Sequence, residues 1–413
     1  MENQIPVAPQ YIKDFEQLGF GMFVHYGLYS QHQRGEWVFK YLNQGMGEYQ
    51  KLAETFNCIG MADIVSTAKA AGCKYICLTT RHHEGFSLYD PCGLSDFNAL
   101  NSPTGRDVIA EFVEECRKVD IVPFFYHTTL DWHHPDFQDD FDAYLEYLYK
   151  SVEILCTRYG KIGGLWFDGN WSKPDADWKE DDLYKMIHRL QPEAMVINNS
   201  GLHAQGKMGN PEIDSVTFER GMAQPLDRTG QSKYMAGEMC ETLCDHWGIA
   251  DDINFKPVKT LIESLCNCRK VGANFLLNIG PNPDGTVPTM QKGIMECIGR
   301  WMTTYGTAIY NGRPYITYND KSEFVLKDIN DENIAYIFKF DVKSGGDVNV
   351  SLGFKEEGAI TLDKFDKTVE SIKWMDNDEE LAFSQKDDAV SINFTNFTYG
   401  QSLCVRVAKA ILK

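Results

Sequence analysis

The chain lacks the long apolar segments of a membrane protein. No stretch of its 413 residues approaches the ~18 consecutive apolar residues that a membrane-spanning helix needs. The first ten residues have neither the basic start nor the apolar core of a secretory signal. From these two absences we expect a cytoplasmic protein that does not bind a membrane.

A surplus of basic residues is also missing. Forty lysines and arginines stand against 59 aspartates and glutamates, and the formal net charge is −19. A partner such as nucleic acid or an anionic membrane requires cationic side chains that neutralise phosphates. The composition therefore argues against both partners and is compatible with a small neutral substrate.

Metal-binding spacings are absent as well. The chain has 12 cysteines, but Cys240 with Cys244 and Cys266 with Cys268 lack the C-x-x-C spacing of a zinc site. H-x-H and H-E-x-x-H patterns do not occur. We therefore expect no metal and no other cofactor, and we interpret the cysteines as reduced thiols.

Short apolar runs alternate with helical patterns over the first three quarters of the chain. Helical spacing is clear at 108–116, 140–159 and 288–305. Eight strand candidates separated by crossovers predict an α/β fold, a (β/α)8-like barrel. Its helices should be irregular, because 201–214 and 220–233 are short and not helical in period. The predicted strands are 20–26, 74–79, 121–126, 164–168, 194–198, 215–219, 234–238 and 273–279.

After residue 310 the pattern changes to apolar and polar alternation with a period of two. Turn residues separate the runs, which predicts a C-terminal antiparallel β-sandwich that serves as structural support or makes crude carbohydrate contacts. We therefore expect two domains, a catalytic barrel over 1–310 and a β-sandwich over 311–413. The runs lie at 324–327, 333–340, 347–352, 359–362, 390–394 and 403–407.

Polar residues stand at the end of almost every predicted barrel strand. The carboxyl ends of barrel strands meet on one face, and that face carries the active site of barrel enzymes. We therefore expect a ring of histidines, carboxylates and amides at one mouth of the barrel. Its members are His25, Arg81, His82, His83, Tyr126, His127, Asp168, Asn198, Asn199, Glu219, Glu238 and Asn278.

The fourth predicted strand ends in an aromatic residue and a carboxylate, Trp166-Phe167-Asp168. An unpaired charge inside the sheet is too costly, so Asp168 belongs at the mouth. Alternation places the Trp166 side chain on the same side as Asp168. An aromatic wall beside a carboxylate suits a sugar, whereas an aspartate that caps the next helix is the structural alternative.

A second carboxylate stands two strands further along the chain. Glycoside hydrolysis uses two carboxyl groups, which are ~5–5.5 Å apart in retaining enzymes. We assign Asp168 as the nucleophile and Glu219 as the acid/base, with a raised pKa. Glu238 is the competing acid/base candidate, and a Glu219 that pairs with Arg220 is the structural alternative.

Further binding residues lie in the loops after the predicted strands. His82 and His83 can bind sugar hydroxyls, because neutral imidazoles both donate and accept hydrogen bonds. Glu36 can clamp hydroxyls, and Trp37 can stack on a sugar ring, while Trp247 suits an apolar wall for a methyl group. Packed aromatics and an exposed glutamate are the structural alternative. The functional alternative for His82 and His83 is a pair of metal ligands, assisted by Asp131, His133 and His134.

In its motifs the chain resembles the α-L-fucosidases of glycoside hydrolase family 29 from residue 20 to residue 310. The resemblance depends on several motifs that occur in order, and one alone would not be specific. They are FGMFVHYGLYS at 20–30, GEW at 35–37, TTRHHEGF at 79–86, GRD at 105–107, DW at 131–132, LWFDG at 165–169 and NIGPNPDG at 278–285.

This resemblance implies a retaining exo-α-L-fucosidase that releases terminal α-L-fucose from fucosylated oligosaccharides or glycoconjugates by double displacement. It implies Asp168 as the nucleophile, and Thr217–Arg220 is the best match for the acid/base segment, with Glu219 in that role. Two positions depart from the family pattern: Glu84 replaces an aspartate, and Ser200 replaces an arginine. The implied fucose-binding residues are His25, Glu36, Trp37, His82, His83, Tyr126, Trp166 and Trp247.

Two other functions stay open at this point. A catalytically silent fucose-binding protein would keep the pocket without turnover. A metal-dependent barrel hydrolase would lose activity on chelation.

Overall fold

The computed structural model describes residues 4–42, 45–347, 349 and 358–413. The chain divides into two compact units. The first comprises Met1–Lys256 and Ala273–Glu296, and the second comprises Pro257–Gly272 and Cys297–Lys413. The predicted division into domains at residues 310 and 311 stays a prediction, because compactness alone does not tell which segments fold independently.

The first unit contains eight parallel strands: β1 (Phe20–Val24), β2 (Tyr75–Arg81), β3 (Val122–Thr128), β4 (Gly164–Asp168), β5 (Met195–Asn198), β6 (Ser215–Glu219), β7 (Ala236–Thr242) and β8 (Asn274–Ile279). They close into a barrel in sequence order, and β1 completes the ring by pairing with β8. Every residue of β1, β2 and β8 is buried, because parallel strands are covered on both faces. The predicted barrel is confirmed.

Aromatic side chains fill the barrel below its carboxyl-terminal mouth. The Phe23 ring packs edge-on against Trp166, with centroids 5.0 Å apart, and Tyr126 stacks on Trp166 at 5.8 Å. Gly21 gives Tyr75 its place in this layer, since a side chain at position 21 would collide with the Tyr75 ring. This packed layer forms a rigid floor for groups at the mouth.

Ten α-helices lie among the described residues: α1 (Gln10–Leu18), α2 (Val38–Tyr41), α3 (Met46–Tyr49), α4 (Met61–Ala71), α5 (Val108–Lys118), α6 (Asp136–Asp139), α7 (Phe141–Arg158), α8 (Glu180–Leu190), α9 (Val258–Lys270) and α10 (Thr289–Asn311). The irregularity expected from the sequence is present, since neither 201–214 nor 220–233 forms a helix. Asp140 begins α7 by accepting a hydrogen bond from the Ala143 backbone at 3.1 Å. The predicted end of the last helix at residue 305 is wrong, because α10 continues through Gly306 to Asn311.

Eight strands lie in the described part of the second unit: β9 (Gly312–Ile316), β10 (Phe324–Asp328), β11 (Ile334–Lys339), β12 (Ala359–Leu362), β13 (Val369–Trp374), β14 (Phe383–Lys386), β15 (Ala389–Asn393) and β16 (Arg406–Leu412). They form a five-stranded sheet in the order β13-β16-β11-β10-β9 and a three-stranded sheet in the order β12-β15-β14. Trp374 and Ile337 from the larger sheet share one core with Ile392 from the smaller, which confirms the predicted sandwich. The predicted run 347–352 lies largely outside the described residues.

In the part of the chain that the structure describes, no helix is long and apolar enough to cross a membrane. All twelve cysteines fall within that part and are free thiols, and most of them are buried.

Candidate active site

A cavity of about 650 Å³ opens at the carboxyl-terminal mouth of the barrel. Loops after β1, β2, β4, β5, β6 and β7 form its walls, and all ten site residues predicted from the sequence line it. They are His25, Glu36, Trp37, His82, His83, Tyr126, Trp166, Asp168, Glu219 and Trp247.

Asp168, the last residue of β4, accepts hydrogen bonds from three side chains. Its Oδ1 accepts from the indole nitrogen of Trp171 at 2.8 Å and from Asn199 Nδ2 at 3.2 Å. Its Oδ2 accepts from the Tyr126 hydroxyl at 3.0 Å, and His83 Nε2 lies 3.5 Å away. The side chain does not cap the short 3-10 turn that follows, so the structural alternative for this aspartate does not apply.

Glu219, the last residue of β6, is coupled to Asp168 through Asn199. Asn199 Nδ2 donates to Glu219 Oε2 at 2.8 Å and to Asp168 Oδ1 at 3.2 Å, so these two oxygens are at most about 6 Å apart. This limit agrees with the ~5–5.5 Å spacing of retaining glycosidases and is below the ~6.5–9.5 Å of inverting ones. Burial, and after it the charge of Asp168, raise the pKa of Glu219 to about 7.

The Arg220 guanidinium has other partners than Glu219. It donates to the Asp245 carbonyl oxygen at 2.7 Å and lies over the Trp247 ring, 5.1 Å from the ring centroid. The Arg220 backbone adopts a left-handed conformation, with φ at 51°. This turn sends the two neighbouring side chains in different directions, so that Glu219 is not held in a structural pair with Arg220.

The competing carboxylate, Glu238, lies below the cavity and does not line it. It is 1% exposed, and its two oxygens accept from the Tyr75 hydroxyl at 2.6 Å and from the Trp166 indole nitrogen at 2.8 Å. Burial raises the pKa of Glu238 to about 7. With both oxygens engaged, Glu238 is placed to orient Trp166 and not to reach a glycosidic oxygen.

Two histidines present an accepting nitrogen to the cavity. His25 Nδ1 lies 2.7 Å from Asn278 Oδ1, and Asn278 uses its amide N–H on the Trp247 carbonyl, so His25 must be the donor in the first bond. His83 Nδ1 lies 2.7 Å from the Thr128 hydroxyl, which donates its own proton to a carbonyl oxygen. Burial holds the pKa of His83 down to about 3 and that of His25 well below its usual value. Both rings are therefore neutral, with Nε2 free to accept from a hydroxyl.

His82 differs from these two rings in its partner. Its Nδ1 lies 3.5 Å from Glu84 Oε2, and neither Glu84 oxygen has a hydrogen-bond partner among the described residues. Burial lowers the pKa of His82 to about 4 and raises that of Glu84 to about 8. The His82 ring stacks on Tyr126 with centroids 5.5 Å apart, which fixes its plane.

The loop after β1 supplies a carboxylate and an aromatic wall. Glu36 is 8% exposed, and its Oε2 accepts from the backbone nitrogens of Trp247 at 3.1 Å and Gly248 at 2.9 Å. The exposed-glutamate alternative is therefore wrong. The Trp37 ring stacks on Trp171 at 6.0 Å, with an interplanar angle of 21°.

The three residues expected to assist a metal pair at His82 and His83 do not lie in the cavity with them. Asp131 Oδ1 accepts from the backbone nitrogens of His133 at 2.8 Å and His134 at 2.9 Å, and none of the three lines the cavity. Among the described residues, no group of three or more His, Cys, Asp and Glu side chains is arranged to hold a metal ion.

Three residues that line the cavity are not among the predicted site residues: Trp171, Asn199 and Arg220. Asn199 was recognised only as one polar strand end among many. A signal for Trp171 was available, because it is an aromatic residue three positions after Asp168 in the same loop. Its contact with Asp168 depends on the turn at Gly169, where φ is 123°.

Two carboxyl groups at this separation, set at the mouth of a parallel barrel, are typical of a retaining glycoside hydrolase. Residues 6–307 match the family model described as Alpha-L-fucosidase, and the chain belongs to this family. The comparison with known proteins thus agrees with the resemblance seen in the motifs.

Individual relatives support the same assignment. A putative α-L-fucosidase of Caenorhabditis elegans is 28% identical over 339 residues, which cover 75% of this chain and 68% of the relative. The tissue α-L-fucosidase of Homo sapiens is 27% identical over 336 residues, covering 73% and 69%.

Solved structures are similar over nearly the whole chain. Isoenzyme 1 of the Paenibacillus thiaminolyticus α-L-fucosidase superposes with a TM-score of 0.82 at 29% identity, covering 98% of this chain and 99% of that one. A Bacteroides thetaiotaomicron family 29 enzyme, trapped as a covalent intermediate with 2-fluoro-fucosyl fluoride, has a TM-score of 0.83 at 22% identity, with coverage of 100% and 98%. At that identity the second likeness concerns the fold.

Proposed function

We propose that the protein releases terminal α-L-fucose from fucosylated glycans with net retention, with Asp168 as the nucleophile and Glu219 as the acid/base. The observation that carries this proposal is the Asn199 amide nitrogen, which lies 3.2 Å from Asp168 Oδ1 and 2.8 Å from Glu219 Oε2. The two oxygens are therefore at most about 6 Å apart in one cavity, a limit that supports a double displacement because it is below the ~6.5–9.5 Å of inverting enzymes.

In the first step, protonated Glu219 gives its proton to the glycosidic oxygen while the bond to the anomeric carbon breaks. Asp168 attacks this carbon and forms a fucosyl ester. The pKa of about 7 keeps a large fraction of Glu219 protonated at neutral pH.

In the second step, Glu219 acts as the base. Ester formation removes the negative charge of Asp168, which is the second cause of the raised pKa of Glu219. The pKa of Glu219 therefore falls once the ester has formed, and the carboxylate can take a proton from water. That water attacks the anomeric carbon, frees Asp168 and releases α-L-fucose.

The remaining cavity residues suit a deoxysugar. Neutral His25 and His83 can accept from ring hydroxyls, and the free oxygen of Glu36 can accept from another. Trp247 presents an apolar face on which the methyl group can pack. His82, Trp37, Tyr126 and Trp166 complete the wall and floor.

The test is proton NMR of the anomer that forms first when the protein hydrolyses an aryl α-L-fucoside. Retention gives the α anomer before mutarotation, whereas the β anomer as first product would overturn the assigned roles. Binding of fucose by calorimetry without any hydrolysis would favour a silent binding protein. Loss of turnover with EDTA, with recovery on adding a divalent metal, would favour a metal-dependent hydrolase; we expect no effect.

A further inference from the structure

Glu84 is a buried carboxyl group without a cationic partner. It is 1% exposed, and neither of its oxygens has a hydrogen-bond partner among the described residues. The guanidinium of the nearby Arg81 pairs instead with Asp131, at 3.8 Å. An ionised carboxylate that is buried without such a partner is too costly, so Glu84 keeps its proton in the folded protein.

Burial outweighs the charges around Glu84. Arg81 and the backbone nitrogens of Leu28 and Glu84 favour the ionised carboxylate, whereas Asp131 opposes it. The pKa of Glu84 is nevertheless raised to about 8, because burial is the largest effect. The groups that face Glu84 or its neighbour His82 are Tyr29, Glu36, Tyr49, Arg81, Tyr126 and Asp131. Burial raises the pKa of each of the three tyrosines well above its usual value, so they stay neutral where Glu84 titrates.

A protonated carboxyl group has one O–H to donate, and the acceptor that faces Glu84 is His82. The Nδ1 atom of His82 is buried, has no hydrogen-bond partner among the described residues, and lies 3.5 Å from Glu84 Oε2. This separation exceeds that of a formed hydrogen bond by less than about 1 Å, a gap that rotation of the Glu84 side chain can close. A ring nitrogen that accepts from this O–H carries no proton of its own.

The His82 ring presents its other nitrogen to the catalytic cavity. The ring lines that cavity, and Nδ1 is the nitrogen that is buried away from it. A neutral imidazole carries a single proton, so a His82 that accepts at Nδ1 must donate at Nε2. His25 and His83 have the opposite arrangement, because each donates through Nδ1. Their ring centroids lie 5.6 Å and 4.1 Å from that of His82, so one donor stands beside two acceptors.

We propose that Glu84 is a positioning residue that acts through His82: its carboxyl O–H donates to Nδ1, and this contact keeps the His82 proton on Nε2, where it donates to a sugar hydroxyl. This proposal rests on the function proposed above. A hydroxyl group both donates and accepts, so one that donates to His25 or His83 can accept from His82 at the same time. The carboxyl group behind the cavity thus determines how the three rings divide the two roles.

The proton positions can be observed by 15N NMR of the histidine rings, with signals assigned from His25→Gln, His82→Gln and His83→Gln. At about pH 6, below the Glu84 pKa of about 8, we expect the proton on Nε2 in His82 and on Nδ1 in the other two rings. At about pH 10 the ionised Glu84 becomes an acceptor, so the His82 proton should move to Nδ1 in the wild type. A His82 proton on Nδ1 at the lower pH, or one that does not move at the higher pH, would overturn the proposal.

Glu84→Gln and Glu84→Met separate the donated hydrogen bond from the filling of space. The amide of Glu84→Gln keeps an N–H donor and cannot ionise, so its His82 proton should stay on Nε2 at both pH values. The side chain of Glu84→Met has similar length but no donor. At about pH 6 we expect kcat/KM for an aryl fucoside to change less than about threefold in Glu84→Gln and to fall about tenfold or more in Glu84→Met, as for the loss of one hydrogen bond.

Glu16→Met is the matched control. Glu16 is also a buried glutamate, 7% exposed, but it lies in α1 before the first barrel strand, so kcat/KM should match that of the wild type. Equal losses in Glu84→Gln and Glu84→Met would overturn the proposal, because the donor would then make no difference. A wild type that hydrolyses no fucoside would overturn the proposed function alone, since the proton positions are observed without turnover.

Discussion

The indole nitrogen of Trp171 donates a hydrogen bond of 2.8 Å to Oδ1 of Asp168. Together with the amide of Asn199, it occupies one oxygen of the carboxylate, while Tyr126 and His83 face the other. Three donors, Trp171, Asn199 and Tyr126, therefore fix the plane of this carboxylate before any substrate arrives. A nucleophile that is oriented in advance needs little rearrangement to reach an anomeric carbon.

Replacement of Asp168 should abolish double displacement. We expect Asp168→Ala to lower kcat/KM for an aryl fucoside by several orders of magnitude, with a circular dichroism spectrum like that of the wild type, because the residue stands at the mouth and not in the core. Azide can take the vacant position and should yield the inverted β-fucosyl azide. Asp245→Ala, in the same cavity, is the control and should keep most of the activity. Near-normal turnover by Asp168→Ala would refute its role.

Replacement of Glu219 should affect poor leaving groups most. An activated aryl fucoside leaves without full protonation, so Glu219→Ala should slow its hydrolysis far less than that of an oligosaccharide. Azide should accelerate the variant and give the retained α-fucosyl azide. Glu238→Gln is the matched control, because this buried glutamate has a similarly raised pKa but lies below the cavity. If Glu238→Gln shows the leaving-group dependence instead, the acid/base assignment moves to Glu238.

The pH dependence of kcat/KM should follow the fraction of Glu219 that is protonated. With its pKa raised to about 7, kcat/KM should fall as the pH rises through about 7, where the proton is lost. The hydrogen bond from Asn199 stabilises the ionised carboxylate and lowers this pKa, so Asn199→Ala should move the alkaline limb to higher pH. Asn198→Ala is the control, because Asn198 faces Glu180 and should leave the limb in place. An unchanged limb in Asn199→Ala would contradict the coupling.

Glu84 should make folding stability depend on pH. Its pKa is raised from 4.5 to about 8 by burial, so the folded state binds an extra proton between these values and loses stability as the pH rises through them. Glu84→Gln has no proton to lose, and its Tm should fall less than that of the wild type between pH 5 and pH 9. The difference corresponds to roughly 2–4 kcal/mol in the free energy of unfolding.

The control for this experiment is Glu54→Gln, an exposed glutamate for which the wild-type pH dependence should persist. Glu219 and Glu238 also have raised pKa values, but they are present in both proteins and cancel in the comparison. Parallel Tm curves for Glu84→Gln and the wild type would show that Glu84 is ionised at all these pH values.

The barrel could be predicted from the sequence because its strands are buried on both faces and follow one another as apolar runs. The strands of the β-sandwich were harder to predict from the sequence. β13 was missed because its register shifts between Val369 and Ser371, which breaks the period of two. β14 was missed because its burial alternates only between half-buried and exposed, and Phe383 is its one apolar residue, so no run of apolar and polar alternation is visible. In α10, the buried side chains of Ala308 and Ile309 outweigh the ~1 kcal/mol cost of Gly306.

The residues of the candidate site also fall into those that the sequence predicts and those that it does not. The predicted residues stand at strand ends or in motifs next to them, and there the barrel itself determines where side chains meet. Trp171 and Arg220 reach the cavity through backbone turns with positive φ at Gly169 and Arg220. Such turns depend on loop packing and leave no periodic signal in the sequence.

Asn199 belongs to the frame of the barrel and not to its loops. It follows β5 directly, and its backbone nitrogen donates to the Phe167 carbonyl of β4 at 2.8 Å, which continues the pairing of the two strands. The pairing of β4, β5 and β6 thus determines the distance between Asp168 and Glu219. Exchange of the surrounding loops with those of other fucosidases should alter which glycans are accepted while the stereochemical course of the reaction is preserved.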